Sequence, residues 1–168
     1  EMARDMALSL FYLSEMLGWY QFAIQAYAPI IATLTRVIDA PATPPDERSG
    51  ACAVLVWLEF AQCGHFADLG LIEQSKAAAQ RCHAVASSME AGNARDEMLL
   101  LSDRLPKYTL FATGAVEAVR QDTERLVGEI ASSSAEFTLY GNEVGRKFWL
   151  AHSYADLARC HWHLGNYA

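Results

Sequence analysis

Basic residues are in short supply in this chain of 168 residues: 13 Lys and Arg stand against 20 Asp and Glu, a formal net charge of −7. A nucleic-acid partner would need a basic face that these residues do not supply, so no direct DNA or RNA contact is expected. Cysteine is sparse, and Cys52, Cys63, Cys82 and Cys160 form no CxxC pair. That spacing excludes paired zinc-ligand motifs and the disulfide framework of small secreted domains, and makes the reducing cytoplasm the expected compartment. No apolar run reaches the roughly 20 residues of a membrane span; the one at 51–58 is broken by Glu59 and Gln62. The charged-then-apolar-then-small layout of a signal peptide is missing from the start. No segment alternates with period two, so no sheet is expected. A phosphate-binding glycine run, a nucleophile elbow and the Glu-x-x-His pairs of a di-iron bundle are all lacking. The expectation is a protein without catalysis of its own and without a cofactor.

What is present is a chain 52% apolar in composition, long enough to bury one continuous core. Apolar residues recur at three- and four-residue steps through most of it, the mark of helices buried on one face. The first stripe is Met6, Leu10, Leu13 and Leu17, ended by Gly18; a second run continues to about Asp39, with Pro29 as the expected kink. The segment 40–48 holds three prolines and is the one clear linker, after which Ser49 offers an N-cap. Further helices are predicted over 50–63, ending at Gly64, and over 66–89. A fifth, over 94–113, contains Pro106. A sixth begins after Gly114 and fades through Ser132 or continues to Gly141, and a seventh covers 144–164.

The glycines that end helices share a context. Leu17-Gly18-Trp19-Tyr20, Cys63-Gly64-His65-Phe66, Thr113-Gly114-Ala115-Val116 and Leu164-Gly165-Asn166-Tyr167 each place an aromatic residue or Val two positions after Gly. Glycine supplies a left-handed turn, the bulky residue fills the corner, and a second helix returns along the first. Four such hairpins, at 2–39, 49–91, 94–140 and 144–168, would make a single domain in which each covers its neighbour's apolar face.

This pattern resembles the tetratricopeptide (TPR) family, whose signature contains a Leu-Gly-x-Tyr-x-x-Ala corner. It is closest in the first hairpin (Leu10, Gly18, Tyr20, Ala23, Tyr27) and the last (Tyr154, Leu157, Ala158, Gly165, Tyr167). The resemblance implies an all-α fold of about seven helices stacked in a right-handed superhelix. The glycines stand 46, 50 and 51 residues apart, against about 34 in the family, and Trp57, Pro106 and Lys107 occupy packing positions, so an irregular superhelix is expected. Long degenerate hairpins of this kind are similar to the TPR-like regions of large bacterial LuxR-type and ATPase-linked regulators. By that analogy the module senses or binds a protein or peptide, or contacts neighbouring domains of its own chain. The start at Glu1, and the end three residues past Gly165 where a second helix is due, lead to the expectation of a piece of a longer protein. The apolar repeat end left uncovered there could also serve self-association.

Carrying the family register over places the concave wall at Tyr12 and Glu15 in the first hairpin, Leu58 and Gln62 in the second, and Arg104 and Tyr108 in the third. The fourth contributes His152, Asp156, Arg159 and His163. The remaining aromatics, among them Trp19, Trp57, Phe60, Trp149 and Trp162, are read as packing between repeats. Cysteine and histidine cluster at Cys63/His65, Cys82/His83 and Cys160/His161/His163. Residues one or two apart point to different faces of a helix, so these are read as core residues and no metal is expected. The alternative is a helical enzyme or small-ligand-binding bundle enclosing a cavity lined by Cys and His.

Overall fold

The computed structural model describes residues 2–132 and 142–166, and those residues form helices and turns without a strand. The helices are α1 (Met2–Leu17), α2 (Tyr20–Asp39), α3 (Pro45–Asp68), α4 (Ile72–Ser88), α5 (Asn93–Ser102), α6 (Pro106–Ala112), α7 (Val116–Ser132) and α8 (Asn142–His163). Counting α5 and α6 as one interrupted helix gives the expected seven. The interruption lies at Asp103–Leu105, just before Pro106, whose fixed φ and missing N–H suit the first position of a new helix.

Glycine in the left-handed region ends α1, α3, α6 and α8, at Gly18, Gly70, Gly114 and Gly165, with φ of 66°, 72°, 79° and 75°. Each end carries the same hydrogen bond from the residue after glycine back across the last turn: Trp19 N to Ser14 O at 3.0 Å, Leu71 N to Phe66 O at 2.8 Å, Ala115 N to Leu110 O at 2.8 Å and Asn166 N to His161 O at 2.9 Å. Three of the four glycines expected to end a helix therefore do so. The second of these ends belongs to Gly70 and not to Gly64, which lies within α3. Gly64 serves instead as a place of close approach, since a Cβ there would sit 3.4 Å from the ring of Tyr108.

The start of α3 also differs from expectation. Pro45 begins it, four residues ahead of Ser49, because proline loses nothing at the first helical position and Asp46 and Glu47 complement the dipole. The helix runs through Pro29 in α2 without a break. Residues 133–141, where α7 was expected to fade or continue, and Tyr167 lie outside the described residues.

Helix α3 is the centre of the fold. It packs against α2 and α4, its neighbours in sequence, and also against α1, α5 and α6; α4 meets α5 and α6, α6 meets α7, and α7 meets α8. The main core gathers Val56, Trp57, Phe60 and Cys63 of α3 with Cys82, Leu101, Leu105, Leu126, Ile130 and Trp149 from the later helices. A second cluster joins Ala23 and Tyr27 of α2 to Leu58 and Ala61. By length and composition α3 could cross a membrane, but 78% of its apolar window is buried inside the fold. Trp57, the large residue at a position expected to be small, stacks on Trp149 with centroids 5.9 Å apart and so ties α3 to α8. Of the stripe that spacing gives for α7, namely Val116, Val119, Thr123, Leu126, Val127 and Ile130, the residues Val119, Thr123, Leu126 and Ile130 are buried and Val116 and Val127 are half-buried.

Two edges are less covered. Among the described residues of α1 it is Ser14 that is buried, while Leu13 and Leu17 of the expected stripe are exposed, as are Met16 and Trp19. In α8, Trp149, Ser153 and Cys160 are buried and α7 lies along the helix, so α8 has a partner; Tyr154, Trp162 and Leu164 remain exposed.

Gly64 within α3 and Gly70 just past its end give a direct check. Gly70→Ala is expected to lower stability by about 1 kcal/mol, because only glycine takes the left-handed turn without cost. Gly64→Ala should change it by less, since a helix-propensity gain of up to about 1 kcal/mol is opposed by contact with Tyr108. Thermal unfolding followed by circular dichroism measures both.

Candidate functional site

The interruption between α5 and α6 sets the site. Arg104 lies in the turn and Lys107 in the first turn of α6, three residues apart, and both side chains are buried. Two buried cations need an anion, and α8 provides it: Arg104 Nη2 donates to Asp156 Oδ2 at 3.0 Å, and Lys107 Nζ donates to the same oxygen. Aromatic faces complete the setting, with the Arg104 guanidinium 5.0 Å from the Trp149 ring centroid and Lys107 Nζ 5.0 Å from that of Tyr108. Burial, reinforced by Arg104, pushes the Lys107 ammonium down to about 8 against the pull of Asp156. Burial also raises the Tyr108 phenol and lowers the His152 imidazole, which packs 4.4 Å from the Phe148 ring.

Beside this network lies a groove of about 510 Å³, bounded by Glu15 of α1, Asp68 of α3, Lys107 and Tyr108 of α6, and Asp156, Arg159 and His163 of α8. Arg159 lies over Phe111, 4.7 Å from its centroid, and Phe111 in turn meets His163. The Asp68 carboxyl is raised by burial and by Glu15, so the α1 and α3 side of the groove concentrates negative charge. A smaller cavity of about 50 Å³ behind it is lined by Tyr12, Arg104, Tyr108 and His152, among others, and its size admits a water or two.

Eight of the ten residues placed on the concave wall by register thus converge on these two adjoining spaces: Tyr12, Glu15, Arg104, Tyr108, His152, Asp156, Arg159 and His163. Leu58 and Gln62 do not. Leu58 is 1% exposed in the second core cluster and Gln62 is 6% exposed, because α3 is covered on every side and a helical register counted from Gly64 as a corner assigns its faces wrongly. Lys107 and Asp68 were missed. The signal for Lys107 was the pair of cations three residues apart within an apolar stripe, a spacing that puts both on one face and calls for a shared anion.

The cysteine and histidine clusters dissolve in the fold. All four cysteines are buried and free, burial raises each thiol, that of Cys63 to about 11, and none lines either space just described. His65, expected at a corner, is wholly buried within α3. A second, open groove of about 680 Å³ between α4 and α5–α7 brings His83 to Ser102 and Asp103. Its geometry does not make a nucleophile: His83 Nδ1 is the atom nearest both, 3.1 Å from Ser102 Oγ and 3.8 Å from Asp103, and the Ser102 hydroxyl donates to Leu99 O.

Two outcomes follow from the buried network. Asp156→Ala leaves two buried cations without their anion and should cost about 3 kcal/mol in chemical denaturation. Lys107 has the opposite sign of pH dependence from a simple surface lysine pair. Folded, it gives up its proton near pH 8, whereas the unfolded side chain keeps it to about 10.5. The unfolded state therefore binds more protons between these values, and stability attributable to Lys107 rises with pH through that window. Denaturation at pH 7 and at pH 10 should show the wild type gaining on Lys107→Met. No family model, curated protein or solved structure matches this chain, so its function is argued from the geometry of the groove.

Proposed function

We propose that the helices stack as an irregular TPR-like superhelix and that the chain is a non-catalytic interaction or sensor module whose groove takes an extended protein or peptide segment. The stacking is supported by the repeated helix-ending glycines and by the way α3 touches α1 on one side and α5 and α6 on another, as well as its sequence neighbours. The observation that carries the binding reading is the groove of about 510 Å³, which sets Glu15 and Asp68 opposite Lys107, Arg159 and His163 and inserts the rings of Tyr108 and Phe111. Charges of both signs with aromatic anchors suit a polypeptide, whose backbone and mixed side chains present donors, acceptors and apolar groups at short intervals. A larger bacterial signalling or transcriptional regulator, in the cytoplasm, is the setting that the TPR resemblance favours.

Peptides selected from a random library on the wild-type chain test this reading. Arg159 is exposed, so Arg159→Ala should leave the circular dichroism unchanged and weaken the selected peptides roughly tenfold or more by fluorescence anisotropy. Affinity unaltered by that substitution would remove the groove as the docking site.

A further inference from the structure

On the acidic side of the groove, Glu15 and Asp68, which the peptide reading counts among its walls, come together with the buried His65. His65 and Asp68 are one turn apart on α3, hence on one face, and Glu15 reaches the same point from α1. One donor atom from each of the three lies within 4.8 Å of the other two. The geometry points to a site for a divalent transition-metal ion of the zinc class, held by His65 Nδ1 and one carboxylate oxygen each from Glu15 and Asp68, with its remaining position open to the groove.

Three features support the assignment. First, His65 Nδ1 and Glu15 Oε1 are 3.2 Å apart, close to the roughly 3.3 Å edge of a tetrahedron built on bonds of about 2.0–2.1 Å. Second, the imidazole is held in place before any ion arrives. It is 0% exposed, stacks on Tyr27 at 6.1 Å with the planes 8° apart, and meets Tyr20 at 5.3 Å. Its Nε2 lies 2.9 Å from Ser14 Oγ. Giving the Nε2 proton to that hydroxyl leaves the Nδ1 lone pair for a cation, the outer-sphere arrangement that orients metal-bound histidines. Third, two carboxylates crowded beside one imidazole repel each other, and a shared cation removes the repulsion.

The donor set also selects the ion. One nitrogen and two oxygens suit zinc and neighbouring first-row divalent ions, while calcium would require six to eight oxygens and a soft cuprous ion would prefer thiolates. Of the cysteine and histidine clusters visible in the sequence, only His65 takes part, and its partners come from elsewhere. The site stands whether or not the groove binds a peptide.

The test uses the whole chain stripped with chelator and dialysed. Calorimetric titration with zinc should show one equivalent bound, and cobalt in its place should bring visible d–d absorption. Glu15 and Asp68 are exposed, so Glu15→Gln and Asp68→Asn should fold and each weaken zinc by about tenfold or more. No stoichiometric uptake overturns the proposal, as does undiminished uptake by the double variant, which would place the ion elsewhere. If the variants fail to fold, the ring nitrogens of His65 in the wild type answer the same question by NMR: a zinc-dependent shift at Nδ1 supports the site, and none overturns it.

Discussion

A helix enclosed on every side must satisfy its polar side chains from within the fold, because each buried one left without a partner costs more than its hydrogen bond returns. Helix α3 carries Glu59, Gln62 and His65 into the interior, and the partners of two of them orient its neighbours. Glu59 accepts two hydrogen bonds from the guanidinium of Arg81, at 2.8 and 2.9 Å, which sets the rotation of α4. The Cys63 carbonyl accepts from Ser75 Oγ at 2.7 Å and fixes the same pair one turn further on. His65 meets Ser14 and Glu15 and so positions α1. What looks like an apolar core helix is in effect the member against which the others are aligned.

The second fixed point is Asp156, a single carboxylate serving two buried cations. It draws α8 toward the turn between α5 and α6, while the Trp57–Trp149 stack holds α8 against α3. Between these ties the helices leave a trough, acidic along α1 and α3 and basic along α6 and α8. The groove is thus a consequence of how buried charge is neutralised. The same placement explains why Lys107 reaches its edge, and Arg104 the smaller cavity, while both are almost wholly enclosed, and why rings lie beneath Arg104, Lys107 and Arg159.

Much of this was legible residue by residue. The stripe of α7 and the helix-ending glycines at Gly18, Gly114 and Gly165 could be read from spacing alone, and the register borrowed from the TPR resemblance picked out eight residues that line the two adjoining spaces. Where the reading of α3 failed, it failed for one reason. Nearly all of its residues are apolar or become buried, so no amphipathic phase marks its ends or faces. Gly64 then looked like a corner, Leu58 and Gln62 looked like wall, and the true end at Gly70 was passed over. In α1 the stripe was visible but its covered side was only partly so, since among the described residues Leu10 of the stripe packs on the second cluster while the fully buried side chain is that of Ser14.

The sequence by itself determined the all-helical class, the absence of strands among the described residues, and the left-handed glycines that close the helices. These depend on periodicity and on backbone sterics within a few residues. Only the tertiary structure decided which helix is enclosed, which charges turn inward and which side chains share a groove. Those outcomes rest on pairs far apart in the chain, Ser14 with His65 across 51 positions and Arg104 with Asp156 across 52, whose meeting is governed by the stacking of whole helices rather than by any local preference.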